Sequence, residues 1–440
     1  MSSSYLHRTN SSGSGTTATV SMWVKQNQVV SDGGLAQFLT DTNNFIGLYS
    51  NPTVKFRTNI SGSTAQGDKA TLIKNRDPAA WYHYVFVFDT TNGTPGDRMR
   101  LWINGVRVTD AQLDTDIDPS SSYSFTPLVS GQFQLNRYNV NTTYSDHEYS
   151  HLHYTDGYAY DASTFGEFDA TSGIWKIKTG PSVTYGTNGF FLKFEDRTNL
   201  DLDSGTNTFT DFTTVGTITP TYDNPSNNFC TGNPLDAQAA NINYTTGNNT
   251  IYDQNSTWRS AYGTLGDNTA KYYFETKIVG ASGNWWVGFC DADQVSSTDA
   301  KFVAATRGYG VNSAGNRGNS GSEASWTGEI ATAQNEVVMV AIDMVNGKIY
   351  FGSEGVWMAS GDPTSGSTGT GAAYSITTGK VYLPAFSFYS TTAGVAPNFG
   401  NGYFGTTAIT SAGTNASGIG EFEFDVPTGY TALSTKGLNN

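Results

Sequence analysis

At 440 residues the chain is too long for one hydrophobic core, so more than one domain is expected. Charged residues make up 14% of it, against roughly 25% in ordinary soluble domains, while aromatics reach 13% and hydrophobics 37%. That balance excludes disorder, and a net charge of −14 with no Lys/Arg cluster excludes nucleic acid as a partner.

The start, Met1-Ser-Ser-Ser-Tyr-Leu-His-Arg, has no apolar signal core, and no stretch approaches the ~20 apolar residues of a membrane span. The expectation is a soluble chain without an export address and without membrane insertion. From there the pattern is short alternating runs between turn clusters. Ala18–Lys25 puts Val20, Met22 and Val24 on one face. Trp81–Asp89 alternates less cleanly and reads as a strand buried on both faces. Arg98–Asp110 carries a hairpin signal, because Asn104-Gly105 supplies the two positive φ values that a type I′ turn requires. Gly189–Glu195 is a further strand.

Residues 197–228 lose apolar periodicity and read as a linker between domains 1–196 and 229–440. Strands resume at Lys271–Val279 and Asn284–Cys290. Asn335–Gly352 repeats the hairpin logic with Asn346-Gly347 at the turn, and Val381–Tyr389 and Glu421–Val426 complete the set. No helix of ten residues and no heptad is visible. The fold class is all-β, two β-sandwiches in tandem. Cys230 and Cys290, sixty residues apart, form no CxxC pair and are expected as free thiols, with a disulfide between them the alternative.

Specific residues then carry a resemblance. Ala80-Trp-Tyr-His-Tyr-Val85, Gly96-Asp-Arg98 and Leu101-Trp-Ile-Asn-Gly-Val106 look like the laminin-G/concanavalin-A-like jelly roll. Tyr5-Leu-His-Arg-Thr9, Asp156-Gly157, Phe165-Gly-Glu167, Gly173-Ile-Trp175 and Tyr185–Phe190 are similar to its version in structural proteins of marine tailed phages. Tyr272-Tyr-Phe-Glu275, Trp286-Val-Gly-Phe289, Val340-Ala-Ile-Asp343, Asn346–Phe351, Leu383–Phe386 and Asn398-Phe-Gly400 resemble a SPRY (B30.2-like) sandwich. The tandem order is itself characteristic of such phage proteins. The resemblance implies a virion location, other virion proteins as partners, a host-surface glycan as a ligand and a homo-oligomer, with a trimer favoured by analogy with phage fibres.

The jelly roll also hosts glycoside hydrolases, whose Glu-x-Asp-x-x-Glu run places its carboxylates on one strand face. Glu167-Phe-Asp169 is followed by Ser172 and Glu423-Phe-Asp425 by Thr428, so the third carboxylate is missing from both. No catalytic residue is expected and no Ser/His/Asp or Cys/His signature is evident. No organic cofactor is implied. Calcium remains a candidate, since Asp114, Asp116 and Asp118 have calcium-loop spacing and, with Asp156, could supply the rim ion that laminin-G-like modules often hold. Pro119 and Phe125 stand where an EF-hand has Gly and Glu.

In Asp146–Tyr154, His151 and His153 would share a strand face with Tyr149 and could chelate a transition metal. The plainer reading is a polar face with Leu152 and Tyr154 pointing to the core. Trp285, Trp326 and Trp357 could stack on sugar rings. Trp286 matches a buried family position, which leaves Trp285 as the exposed member of its pair. Gly308–Asn312 leads into no helix, so it is no phosphate loop.

The whole reads as a non-enzymatic virion structural and adhesion protein. The alternatives are a polysaccharide-degrading hydrolase of the virion and a capsid cement protein without a receptor role.

Overall fold

A computed structural model of the chain describes residues 4–27, 33–41, 44–51, 53–60, 63–138, 143–144, 146–205, 212–236, 241–280, 284–298, 300–326 and 334–439. The chain divides into two compact units, Met1–Pro220 and Thr221–Asn440. Both are sandwiches of sheets that are antiparallel except where Thr431–Ala432 runs parallel to Lys271–Ile278, and helices among the described residues are single turns such as Thr126–Ser130 and Ala162–Phe165. None is long and apolar enough to cross a membrane.

In the first unit an eight-stranded sheet faces a six-stranded one. The six-stranded sheet runs, in spatial order, Phe190–Leu192, His147–Asp156, Thr17–Gln26, Trp81–Asp89, Met99–Ile103 and Val106–Arg107. Alternation sends Val20, Met22, Val24, Tyr84, Phe86 and Phe88 into the space between the sheets, where Phe38 and Phe56 of the other sheet meet them. Phe56 and Phe86 lie 4.6 Å apart, as do Phe38 and Tyr154. Such aromatic pairs add about 0.5–1.5 kcal/mol each beyond the area they bury.

The same sheet is covered on its other face. Val85, Val87 and Trp102 point away from the inter-sheet core onto Ala162 and Phe165, with Tyr160, Trp175 and Val183 at the margin. This explains the unclean alternation of Trp81–Asp89, which is apolar on both faces because both are buried. The hairpin at Asn104-Gly105 has φ values of 48° and 78°, as a type I′ turn needs.

The second unit pairs a nine-stranded sheet with a six-stranded one. Lys271–Ile278 and Val337–Asp343 lie side by side in the larger, Trp285–Asp291 and Tyr382–Phe388 in the smaller. Phe274 packs on Phe289 at 5.4 Å and on Phe386 at 6.0 Å across the core. Phe229 bridges to Ser434, so the first and last segments of the unit are clasped together.

Three expectations change. Residues 197–228 are not a free linker: Thr213–Val215 pairs with Tyr5–Thr9, Phe212 is buried in the first core, and Asp223 and Asn227 are buried in the second unit. Residues 206–211 of that stretch lie outside the described residues. Glu421–Val426 is not a strand but a strap laid over the nine-stranded sheet by Phe422 and Val426. The turn at Asn346-Gly347 spans four residues between Asp343 and Lys348, with Asp343 accepting from the Asn346 amide at 2.8 Å. Both cysteines are buried, and no disulfide joins them.

Candidate functional site

Three imidazoles of the first unit, those of His83, His151 and His153, gather on the covered face of the six-stranded sheet. His83 lies at the centre of the face, stacked on Trp23 at 4.8 Å and on Trp175 at 5.9 Å. Its Nε2 is 2.9 Å from Ser21 Oγ and its Nδ1 3.0 Å from Trp175 Nε1. A serine and a histidine in contact are the start of a nucleophilic pair, and no motif in the sequence announced it.

The third partner decides its chemistry. An indole N–H can only donate, so Nδ1 of His83 must accept and the ring proton resides on Nε2. Nε2 therefore donates to Ser21 and cannot take its proton, the reverse of what a serine nucleophile needs. Both residues are buried, and burial pushes the His83 pKa down to about 3, so the ring is neutral. The arrangement is a structural pin.

His153 and His151 belong to the same face but not as a chelate. A β-bulge between Ser150 and His153 breaks the alternation, with His151 at φ 47°. Tyr149 consequently packs against the inter-sheet core with Leu152 and Tyr154, and does not share the face of the two histidines. His153 stacks on Phe191 at 3.8 Å and contacts the Tyr185 hydroxyl at 3.0 Å. His151 contacts Ser150 Oγ through Nδ1, and its Nε2 is 3.7 Å from Glu195. Burial holds both rings below the ordinary histidine pKa.

The aspartates are likewise dispersed. Asp116 and Asp118 both pair with the buried Lys69 ammonium, Asp118 at 2.9 Å, so a lysine occupies the place a cation would take. Asp114 is exposed. Asp156 is buried elsewhere, accepting from the Ser14 and Asn188 amides at 2.7 and 3.1 Å and from the Asn188 side chain at 3.0 Å. Among the described residues no three His, Cys, Asp or Glu side chains converge on a metal position.

The near-miss carboxylates are exposed or half-exposed. Glu167 and Asp169 lie on the exposed hairpin Gly166–Phe168 and Trp175–Ile177, both within 3.4 Å of Lys176 Nζ. Hydrogen bonds from Ser172 and Thr171, with Lys176 beside them, pull the Asp169 pKa to about 2, which suits a turn cap and not a proton donor. Asp425 caps Thr414, while Glu423 lies 3.9 Å from Lys277.

Trp285 is not exposed; it fills the inter-sheet core of the second unit, and it is Trp286 that faces outward. Trp286 is buried too, because Phe302 and Val303 fold over that face and Gly318 lies against its ring. Trp326 and Trp357 are half-buried, edge-on to Phe351 and Tyr273 at 6.2 Å each.

One ionisable group escaped the sequence reading. Glu275, on Lys271–Ile278, is fully buried and accepts from the Glu423 amide, the Phe424 amide and the Tyr273 hydroxyl, each at 2.8 Å. The signal was present in Tyr-Tyr-Phe-Glu-Thr, a carboxylate inside an apolar strand.

Comparisons with known proteins follow the two units. Residues 1–143 match the family described as the concanavalin A-like lectin/glucanases superfamily, and residues 271–402 match the SPRY domain. Among solved structures, the SPRY domain of human HERC1 is similar at 16% identity and TM-score 0.28, over 36% of this chain and 94% of that one. A human SPRY domain matches at 14% identity and TM-score 0.28, over 36% and 94%. Stonustoxin matches at 14% identity and TM-score 0.30, over 38% of this chain and 27% of its own. No match was found among curated proteins. The chain is an all-β protein in which a concanavalin A-like domain is followed by a SPRY domain.

Proposed function

We propose that this chain is a non-catalytic binding protein of a bacteriophage virion, a tail appendage, head fibre or capsid decoration that engages host-surface glycan or a neighbouring virion protein. The observation that carries the non-catalytic half is the covered sheet face of the first unit. The surface that could have formed an open groove is filled by Ala162, Phe165 and Trp175, and its Ser21–His83 pair carries its proton the wrong way round. Its near-miss carboxylates are exposed, lysine-paired or engaged in turns. The virion half is supported by the tandem order of the two modules, which resembles that of marine phage structural proteins.

Recognition is left to rim loops rich in Ser, Thr, Asn and Gly, and to the partly exposed rings of Trp326 and Trp357. A homo-oligomer, by analogy a trimer, would multiply weak single-site contacts. Purified particles decorated with antibody against this chain and imaged by negative-stain microscopy test the assignment. Label at a fixed place on the tail or capsid supports it, and unlabelled intact particles from cells expressing the chain contradict it.

A further inference from the structure

The strap Glu421–Val426 closes over the outer face of the nine-stranded sheet; backbone bonds tie Glu421 to Gly400 at 3.0 Å and Val426 to Thr414 at 2.8 Å, and between them its middle rests on one buried carboxylate. Phe422 and Val426 press on Tyr273, Met339 and Tyr350 beneath it. The buried anchor is Glu275, which takes the Glu423 and Phe424 amides and the Tyr273 hydroxyl at 2.8 Å. Asn398, opposite Glu275 on the next strand, adds a bond to the Glu421 carbonyl at 2.9 Å.

No cation accompanies Glu275 among the described residues. On its own strand stand Tyr273 and Lys277, and Lys277 faces Glu423 at 3.9 Å. The strap contributes Glu421, Glu423 and Asp425. Across the sheet its neighbours are Met339 and Asn398, neither of which titrates. Of these groups, Glu423 acts on Glu275 by repulsion and disfavours its ionised form. A carboxylate buried without a counter-ion favours its protonated form. The cradle can hold that form if the Tyr273 hydroxyl, which here donates to Glu275, turns to accept the carboxyl proton, while the Glu423 and Phe424 amides keep their acceptors.

We infer that the strap is a proton-controlled clasp, whose closing takes up a proton at Glu275 and whose opening, favoured as the medium turns alkaline, uncovers the apolar face of Tyr273, Met339 and Tyr350. Burial, outweighing the three hydrogen bonds, raises the Glu275 pKa from 4.5 to about 7. When the strap lifts, Glu275 meets water and its pKa falls back. Opening therefore releases a proton, and its equilibrium shifts toward the open form as pH rises between those values. The inference does not depend on the virion assignment.

Amide hydrogen exchange of the full chain, read by mass spectrometry at pH 5.5 and pH 8 and corrected for the intrinsic pH dependence of exchange, tests the clasp. Peptides spanning residues 421–426 should lose protection by on the order of tenfold at the higher pH, while peptides of Val337–Asp343 hold steady. In Glu275→Gln, which keeps the shape without the charge, strap protection should be independent of pH. Should that variant fail to fold, the carboxyl stretching band of the wild-type chain serves instead. A protonated, buried carboxyl that titrates near neutrality supports the clasp. Equal strap protection at both pH values, an unchanged pH dependence in the variant, or a Glu275 already ionised at pH 5.5 would overturn it.

Discussion

Trp175 Nε1 donates to His83 Nδ1 across 3.0 Å, tying the outer hairpin of the first unit to the centre of its six-stranded sheet, 92 residues away in sequence. That bond sets the tautomer of His83 and makes Ser21 an acceptor. Trp175→Phe would keep most of the ring and leave a buried acceptor unpaired, which costs about 1–3 kcal/mol. Denaturant unfolding of the first unit should show a loss of that size. A variant as stable as the parent would mean the hydrogen bond contributes nothing to holding the hairpin.

Gly105 combines two constraints. Its φ is 78°, and an added Cβ would overlap the Trp175 ring. Gly105→Ala should cost more than the ~1 kcal/mol of a backbone effect alone, and should also raise the exposure of Trp175 to an aqueous fluorescence quencher. Unchanged quenching would separate the turn from the covering segment.

The two units should respond to mild acid in opposite directions. In the first, His83 and His153 have folded pKa values lowered by burial, His83 to about 3. Their contribution is present above the unfolded value near 6.5 and is lost as pH falls toward the folded one. In the second, Glu275 has a folded value raised from 4.5 to about 7, so its contribution is present below 4.5 and is lost as pH rises through 7. Each group contributes a slope of up to about 1.4 kcal/mol per pH unit. Calorimetry from pH 7.5 to pH 5 should lower the transition of the first unit and raise or preserve that of the second. Parallel shifts of both would contradict the assignment of these groups.

Lys69 already neutralises Asp116 and Asp118. A chelator should therefore leave the melting temperature of the first unit unchanged, whereas Lys69→Met, which strands two carboxylates, should lower it by several degrees, as a loss of about 1–2 kcal/mol would. Destabilisation by chelator would reinstate a calcium ion on these aspartates.

Much of the fold was legible because strand signals are local. Val20, Met22 and Val24 announced a core face, and Asn104-Gly105 announced its own turn. What the sequence left hidden depends on covering segments, which make contacts far along the chain. Nothing near Trp285-Trp286 says that Phe302 and Val303 will close the outer face, so burial of both rings was invisible. The bulge at Ser150–His153 shifts register with no glycine to mark it, and so separates Tyr149 from the histidines. Asp116 and Asp118 looked like ion ligands because Lys69 lies 47 residues from Asp116, on the neighbouring strand. Ser21, His83 and Trp175 come from three separate segments, and only the packed sheet brings them together.

The most direct test of binding without turnover incubates the full chain with bacterial surface polysaccharides from a panel of marine strains, following retention on immobilised polysaccharide and release of reducing ends. Retention on at least one polysaccharide is expected, with no reducing ends above background over long incubation. Reducing ends that appear with the parent chain and vanish in Glu167→Gln or Glu423→Gln would contradict it.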